Sequence, residues 1–279
     1  MIIVYILAAI LIFGVLIAVH EFGHFAAAKL CGVRVNEFSI GMGPLIWHKE
    51  TAETQYSLRL LPIGGFCAME GEDEESGDER SLGRQGFFKK AVIFAAGSFM
   101  NFLAGFLIIL AVYSGAAGFL IPAAAGTAPE FEQQNGQTLQ AGDIFYEING
   151  ERVYLYSDVS LLMSLHQGQP MDLVVLRDGE KVELNDITWG TYTGTEGETY
   201  QGYGIYIAGD QVEEANLWTL LKTSWLNTID FVRIVRLSLQ MLVTGQAGMD
   251  DLSGPVGIVS TITQVGTASE TFAAALENI

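Results

Sequence analysis

The chain has little positive charge and only two cysteines. Its 279 residues carry 14 Lys and Arg against 32 Asp and Glu, which gives a formal net charge of −18. Because nucleic acid is a polyanion, this balance argues against it as a partner. Cys31 and Cys67 form no CxxC pair and indicate no disulfide framework. We expect two small packing residues, with metal ligation as the alternative.

The first 19 residues contain no charged side chain. From Ile2 to Val19 the sequence is an uncharged apolar run, close to the roughly 20 residues that cross a bilayer. A secretory signal peptide would begin with basic residues and end at a small-residue cleavage site, and neither feature is present. Half of all residues are hydrophobic and the mean hydropathy is +0.33. The sequence therefore predicts a membrane protein with a water-facing part.

An HExxH motif, His20-Glu21-Phe22-Gly23-His24, ends this apolar run. Residues four apart share one helix face, so both imidazoles can reach one metal ion. Glu21 lies one position further round and can take a proton from a metal-bound water. Ionisable residues at membrane depth are costly and mark a functional site. The motif predicts a metal centre, and the alternative is a chance match at the end of a membrane helix.

We expect a membrane protein with an α-helical transmembrane core, a small membrane-associated β-region and an extracytoplasmic α+β domain. Strand-like patterns occur at 33–40 and 55–61, with turn signals at 41–44 and 62–65. The expected parts are a first transmembrane helix with HExxH (1–30), a cytoplasmic-side β-hairpin region (31–88), a second transmembrane helix (89–122), an acidic α+β domain (124–210), an amphipathic interfacial helix (215–245) and a C-terminal segment (246–279).

Two of these helices leave questions open. The second is uncharged beyond Lys90, and Asn101 is its only strongly polar side chain. Asn101 could form an interhelical hydrogen bond or act near the metal centre. The helix at 217–243 carries Lys222, Asp230, Arg233 and Arg236. These charges favour a helix lying at the outer interface, and a third crossing is the alternative.

The distribution of charge predicts an orientation. Eight of the 14 basic residues lie between the two apolar helices, whereas residues 124–215 contain 16 acidic and 3 basic side chains. The positive-inside rule places the connection in the cytoplasm and the acidic domain outside. The metal centre then lies toward the cytoplasmic side of the bilayer.

Five segments in order resemble one protein family. The chain resembles the site-2 protease family of intramembrane zinc metalloproteases, in its bacterial branch with an extracytoplasmic PDZ domain (the regulator-of-sigma-E protease type). The segments are HEFGHFAAAKLCGVRVNEFSIGMGP (20–44), LPIGGFCAMEGE (61–72), FKKAVIFAAGSFMNF (88–102), LQAGDIFYEINGERV (139–153) and LSGPVGIV (252–259).

The resemblance implies regulated intramembrane proteolysis by a metalloendopeptidase of the bacterial inner membrane. His20 and His24 would bind Zn²⁺, and Glu21 would be the general base. Substrates would be single-span membrane proteins such as anti-sigma factors or signal-peptide remnants. The β-region would hold the substrate in extended form, and Gly202, Tyr203, Gly204 and Ile205 would form the peptide-binding loop of the PDZ domain. A plain Gly-rich turn is the alternative for that loop.

The chain departs from the family pattern in two places. Ser98 replaces the proline of an Ala-Gly-Pro motif, and no Asn…Pro…Leu-Asp-Gly motif supplies a third metal ligand within the 279 residues. Asp250 and Asp251 are poor substitutes, and we expect neither His48 nor His166 to be a ligand. The alternative function is a catalytically incomplete PDZ-bearing membrane anchor, or a gene fragment that stops before the third span.

Overall fold

The computed structural model describes residues 2–194, 197–245 and 257. The described residues fall into two compact units, one that includes 2–105 and 238–245 and another within 106–237. The sequence-based expectations for 246–279, including LSGPVGIV, Asp250 and Asp251, lie outside the described residues apart from Gly257.

In the first unit, the apolar run and the HExxH motif form one continuous helix, α1 (Ile2–Cys31). Its part before the motif, 2–19, carries no charged side chain, and Ile3, Leu7, Leu11 and Val15 are exposed. Gly32, with φ of +80°, ends the helix. The Gly32 and Val33 amides donate to the carbonyls of Lys29 and Ala28. This left-handed glycine cap satisfies carbonyls that the helix end leaves unpaired.

Two long, bent strands follow, β1 (Val35–Glu50) and β2 (Gln55–Met69). Phe38 pairs with Cys67 on one side and with Tyr56 on the other, and Lys49 pairs with Tyr56 from the opposite side. The segments therefore lie in the order 65–69, 35–40, 55–58 and 45–50. The 35–40 segment runs parallel to 55–58 and antiparallel to 65–69, whereas 45–50 runs antiparallel to 55–58. The chain therefore reverses direction at 41–44 and 62–65, where the sequence predicted turns, and Gly41, Gly43 and Gly64 adopt positive φ there.

The second apolar helix, α2, covers Phe87–Tyr113. The expected span of 89–122 was wrong at its end, because the helix stops nine residues earlier. Ser114 bonds back to the Ala111 carbonyl, and Gly115 has low helix propensity. Helices over Ile6–Cys31 and Phe87–Tyr113 are long and apolar enough to cross a membrane, which makes two candidate spans among the described residues.

The second unit contains a four-stranded antiparallel sheet in the order β6-β5-β7-β8, and three two-stranded pairs, β3 with β12, β4 with β11 and β9 with β10. Its elements are β3 (Gly118–Leu120), β4 (Ala124–Thr127), α3 (Phe131–Asn135), β5 (Ile144–Ile148), β6 (Glu151–Arg152), α4 (Tyr156–Leu165), β7 (Met171–Arg177), β8 (Glu180–Ile187), β9 (Gly190–Thr193), β10 (Thr199–Gly202), β11 (Ile205–Ile207) and β12 (Val212–Glu214).

Short-range signals position this sheet. Asn149-Gly150 and Asp178-Gly179 have positive φ at both residues, as required at the centre of a type I′ hairpin turn. Asp158, the third residue of α4, holds the start of the helix, because its Oδ2 accepts from the backbone N–H of Tyr154 and Leu155 at 2.7 and 2.8 Å. Sixteen buried side chains, among them Phe131, Phe145 and Leu162, form the core.

Helix α5 (Leu217–Thr244) has a polar buried face and an apolar exposed face. Buried Arg233 pairs with Asp158 of α4 at 2.7 Å and with Asp230 on its own helix. Burial, together with the nearby Asp158 charge, raises the pKa of Asp230 to about 6. The exposed face includes Trp218, Trp225, Phe231, Val232 and Val235. A surface helix of a soluble protein buries its apolar face and exposes its polar face, and α5 does the opposite. The exposed face of α5 therefore suits contact with lipid.

Candidate metal centre

The His20 and His24 side chains lie on the face of α1 that meets α2. His20 Nε2 and His24 Nε2 are 3.1 Å apart, and their rings are nearly perpendicular, with centroids 4.8 Å apart. Two imidazole nitrogens on one tetrahedral zinc, each at about 2.0–2.1 Å, lie roughly 3.3 Å from each other. The spacing of the two Nε2 atoms therefore fits a shared cation.

A backbone carbonyl of α2 orients His24. The Nδ1 of His24 lies 2.7 Å from the carbonyl oxygen of Ile93. Only Nδ1–H can donate to that oxygen, so Nε2 of the neutral ring has a free lone pair. A metal-binding histidine commonly donates its other ring N–H in this way. His24 is thus prepared to bind a cation through Nε2.

Two glycines allow α1 and α2 to approach closely at the motif. A Cβ atom on Gly23 would lie 2.4 Å from the Ala96 carbonyl oxygen. A Cβ atom on Gly97 would lie 2.5 Å from His24 Nε2 and 2.7 Å from His20 Nε2. Real Cβ atoms do not approach other atoms so closely, so a side chain at Gly23 would push against the backbone of α2, and one at Gly97 would displace the imidazole rings. Gly97 in particular provides the space that the imidazoles occupy.

The β-region lies beside Glu21. A Cβ atom on Gly65, at the start of the edge segment 65–69, would lie 3.5 Å from Glu21 Cγ. Cys67 is buried in the same segment, and burial, followed by the Glu21 and Glu72 charges, raises the pKa of its thiol to about 12. Both cysteines are free. Cys67 is therefore a packing residue with a protonated thiol.

The remaining histidines lie elsewhere. The exposed His48 ring is 4.0 Å from Glu50, and His166 Nδ1 is 2.8 Å from the Leu162 carbonyl at the end of α4. Within 2–194 and 197–245, no three His, Cys, Asp or Glu side chains are grouped so that they could hold a metal ion. The structure brings His20 and His24 together and gives them no third protein ligand from those ranges.

Asn101 of α2 belongs to this centre as well. Its Nδ2 lies 3.4 Å from His20 Nδ1. The sequence left its role open between helix packing and the metal centre. A polar residue four positions after Gly97 on an apolar helix was the available signal, because positions four apart share a face.

The four residues Gly202–Ile205 lie in the second unit, from the end of β10 to the start of β11. They border a groove of about 210 Å³ with α4 on its other side, lined also by Ser160, Met163 and Trp189. Tyr203 is buried, and its hydroxyl donates to the carbonyls of His166 and Gln169. Gly204 adopts φ of +69°. The segment therefore forms one wall of a groove beside a helix.

Comparison with known proteins identifies the class. The model of Peptidase family M50 matches residues 8–279, and the chain belongs to this family of membrane-embedded proteases. The resemblance to the site-2 proteases is thereby confirmed.

Individual relatives agree with the family. A protein of Clostridium perfringens named "Putative zinc metalloprotease" is 35% identical over 95% of this chain and 76% of its own length. A protein of Clostridium acetobutylicum with the same descriptive name is 34% identical over 91% of this chain and 73% of its own length. Regulator of sigma-W protease RasP of Bacillus subtilis is 25% identical over 93% of this chain and 80% of its own length.

Proposed function

We propose that this chain is an intramembrane zinc metalloendopeptidase that cuts single-span membrane proteins in regulated proteolysis. The observation that carries the proposal is the convergence of His20 Nε2 and His24 Nε2 at 3.1 Å, with Glu21 on the same helix beside them. The proposed substrates are anti-sigma factors or signal-peptide remnants. The names of the relatives support zinc and proteolysis, and RasP supports a regulatory role.

His20 and His24 would hold the zinc, which when bound activates a water and polarises the scissile carbonyl. The Glu21 carboxylate takes a proton from the attacking water and gives it to the leaving amide nitrogen. His24 keeps its proton on Nδ1 throughout, because the Ile93 carbonyl accepts from it. The two helices exclude bulk water from one side of these groups, since Gly23 and Gly97 bring them into contact.

The β-region would present the substrate. A protease needs an extended substrate, because a helix hides its carbonyls in internal hydrogen bonds. The edge segment 65–69 begins beside Glu21, and an extended peptide can pair with a strand edge. Exposed apolar residues of this region suit contact with lipid, and they include Ile40, Met42, Leu45, Ile46, Trp47, Leu58, Leu60 and Leu61.

Zinc content tests the proposed centre. The purified chain in detergent should bind one zinc per molecule, and His20→Ala or His24→Ala should lower zinc affinity by at least about 100-fold, because removing a ligand costs more than removing its supporting partner. The measurement is metal analysis combined with chelator competition. His48→Ala and His166→Ala are matched controls, since both rings lie outside the centre. Zinc loss in the controls, or none in the first pair, contradicts the proposal.

We further propose that residues 124–210 form a PDZ-like domain on the outer face of the membrane. The antiparallel sheet, helix α4 and the groove at Gly202–Ile205 support it, because backbone amides in such a groove can receive a C-terminal carboxylate. The excess of basic residues between α1 and α2 supports the orientation. Helix α5 would then lie at the outer interface through its apolar face.

One experiment tests the peptide-binding groove and the orientation in the membrane separately. A membrane-impermeant fluorescent peptide with an apolar C-terminal residue and a free carboxylate should bind intact spheroplasts that display the chain. The same peptide with an amidated C-terminus should not bind, because it lacks the anionic group. Binding only after permeabilisation would show that the orientation is reversed. Equal binding of both peptides would exclude carboxylate recognition by the groove.

A further inference from the structure

Asn101 contacts His20 through only one of the two polar atoms of its amide group. Its Nδ2 lies 3.4 Å from His20 Nδ1, while its buried Oδ1 has no hydrogen-bond partner among the described residues. A buried amide oxygen without a partner costs free energy and calls for an explanation. A role in joining two helices would not by itself explain why this oxygen has no hydrogen-bond partner.

The hydrogen bonds around Asn101 form a directed chain. Asn101 Nδ2–H can only donate, so His20 Nδ1 accepts and the neutral ring carries its proton on Nε2. His20 Nε2–H then donates to His24 Nε2 across 3.1 Å. His24 in turn donates through Nδ1–H to the Ile93 carbonyl at 2.7 Å. In this series of hydrogen bonds, each donor therefore faces an acceptor.

A cation shared by both Nε2 atoms needs a different arrangement at His20. Nε2 must then be free of its proton, and in the neutral ring the proton is carried by Nδ1. Nδ1–H requires an acceptor, which the Asn101 NH₂ group cannot provide. A half-turn of the amide about its last side-chain bond exchanges Nδ2 and Oδ1. The unused oxygen then faces Nδ1 and accepts from it.

We propose that Asn101 is a positioning residue that sets the tautomer of His20. In one orientation its NH₂ group stabilises the Nε2–H ring, and in the other its oxygen stabilises the Nδ1–H ring that binds zinc. Only the statement about the zinc-binding orientation rests on the proposed zinc centre. It makes Asn101 the counterpart of the Ile93 carbonyl, so that each imidazole has one supporting partner on α2.

Two variants and one control test this inference on the full chain in detergent. N101L removes both hydrogen-bonding groups at similar volume, and N101D keeps two acceptors but no donor. S98L makes the same polar-to-Leu change at an exposed position of α2 and is the control. Nitrogen-15 NMR of the labelled imidazoles reports which ring nitrogen of His20 carries the proton. Chelator competition measures the affinity for Zn²⁺.

Without zinc, we expect His20 to carry its proton on Nε2 in the wild type and on Nδ1 in N101D. With zinc, we expect N101L to bind about 10- to 100-fold more weakly than the wild type, and S98L to bind as the wild type does. A His20 tautomer that is the same in the wild type and N101D without zinc overturns the inference. So does wild-type zinc affinity in N101L.

The failure of the zinc proposal would look different. If the wild type shows no zinc binding that depends on His20 and His24, the proposed metal centre is wrong. The zinc-free spectra of the wild type and N101D still decide the tautomer role in that case. A mere packing role for Asn101 would change stability in N101L without moving the His20 proton in N101D.

Discussion

Replacing Glu21 by Gln should reduce cleavage of a single-span membrane substrate by about 10²- to 10⁴-fold, the range for loss of a general base. Glutamine has the same shape as glutamate but cannot take a proton from the attacking water. Zinc affinity should stay near that of the wild type, because Glu21 is not proposed as a ligand. The measurement is cleavage of a reconstituted substrate, with zinc content determined on the same preparation.

A matched control is Glu50→Gln, which removes a carboxylate from an exposed position at the end of β1. It should leave cleavage unchanged. Equal cleavage by the wild type and Glu21→Gln would sink the enzymatic proposal. The chain would then be better described as a membrane anchor that presents the domain at 124–210, which is the alternative that the sequence already suggested.

Replacing Gly97 by Ala should remove both zinc binding and cleavage. The added methyl group would lie 2.5 Å from His24 Nε2 and 2.7 Å from His20 Nε2, so either the rings or the whole of α2 must move. Inserting one carbon into a tight contact costs roughly 1–3 kcal/mol, and here that cost falls on the proposed ligands themselves. We expect zinc affinity to fall by more than about 100-fold, since ligands and not only their partners are displaced.

Gly105→Ala is the matched control for this variant. Gly105 lies on the same helix, and a Cβ atom there would meet nothing within 4 Å. The change should raise helix propensity slightly and leave zinc binding intact. Both variants should be compared by chelator competition and by circular dichroism. Zinc affinity in Gly97→Ala that equals the wild type would show that the two imidazoles are not held in the place described.

The expected helical boundaries were most accurate where a local signal marked them. Gly32 ends α1 through a left-handed cap, and the residue type alone suggests such a stop. The end of α2 was misjudged because residues 114–122 remain apolar. Leu120 there pairs with Val212 of β12, almost a hundred residues away, and no local pattern reveals that pairing.

The β-region divides in the same way. The glycines beside the strand-like residues at 33–40 and 55–61 indicated turns, and the chain reverses direction at 41–44 and 62–65. Gly41 and Gly64 supply the positive φ that these reversals use. No local pattern revealed that 37–40 lies between two segments of β2.

The sequence by itself determined the helix that carries HExxH, the four-residue spacing of His20 and His24, and the uneven distribution of charge. Each of these depends on neighbours within a few residues, or on composition. Only the tertiary structure decided that Ile93 and Asn101 support the two imidazoles, that Gly97 makes room for them and that Gly65 lies against Glu21. Those contacts join residues 44 to 81 positions apart, and such pairs meet only when helices and strands pack.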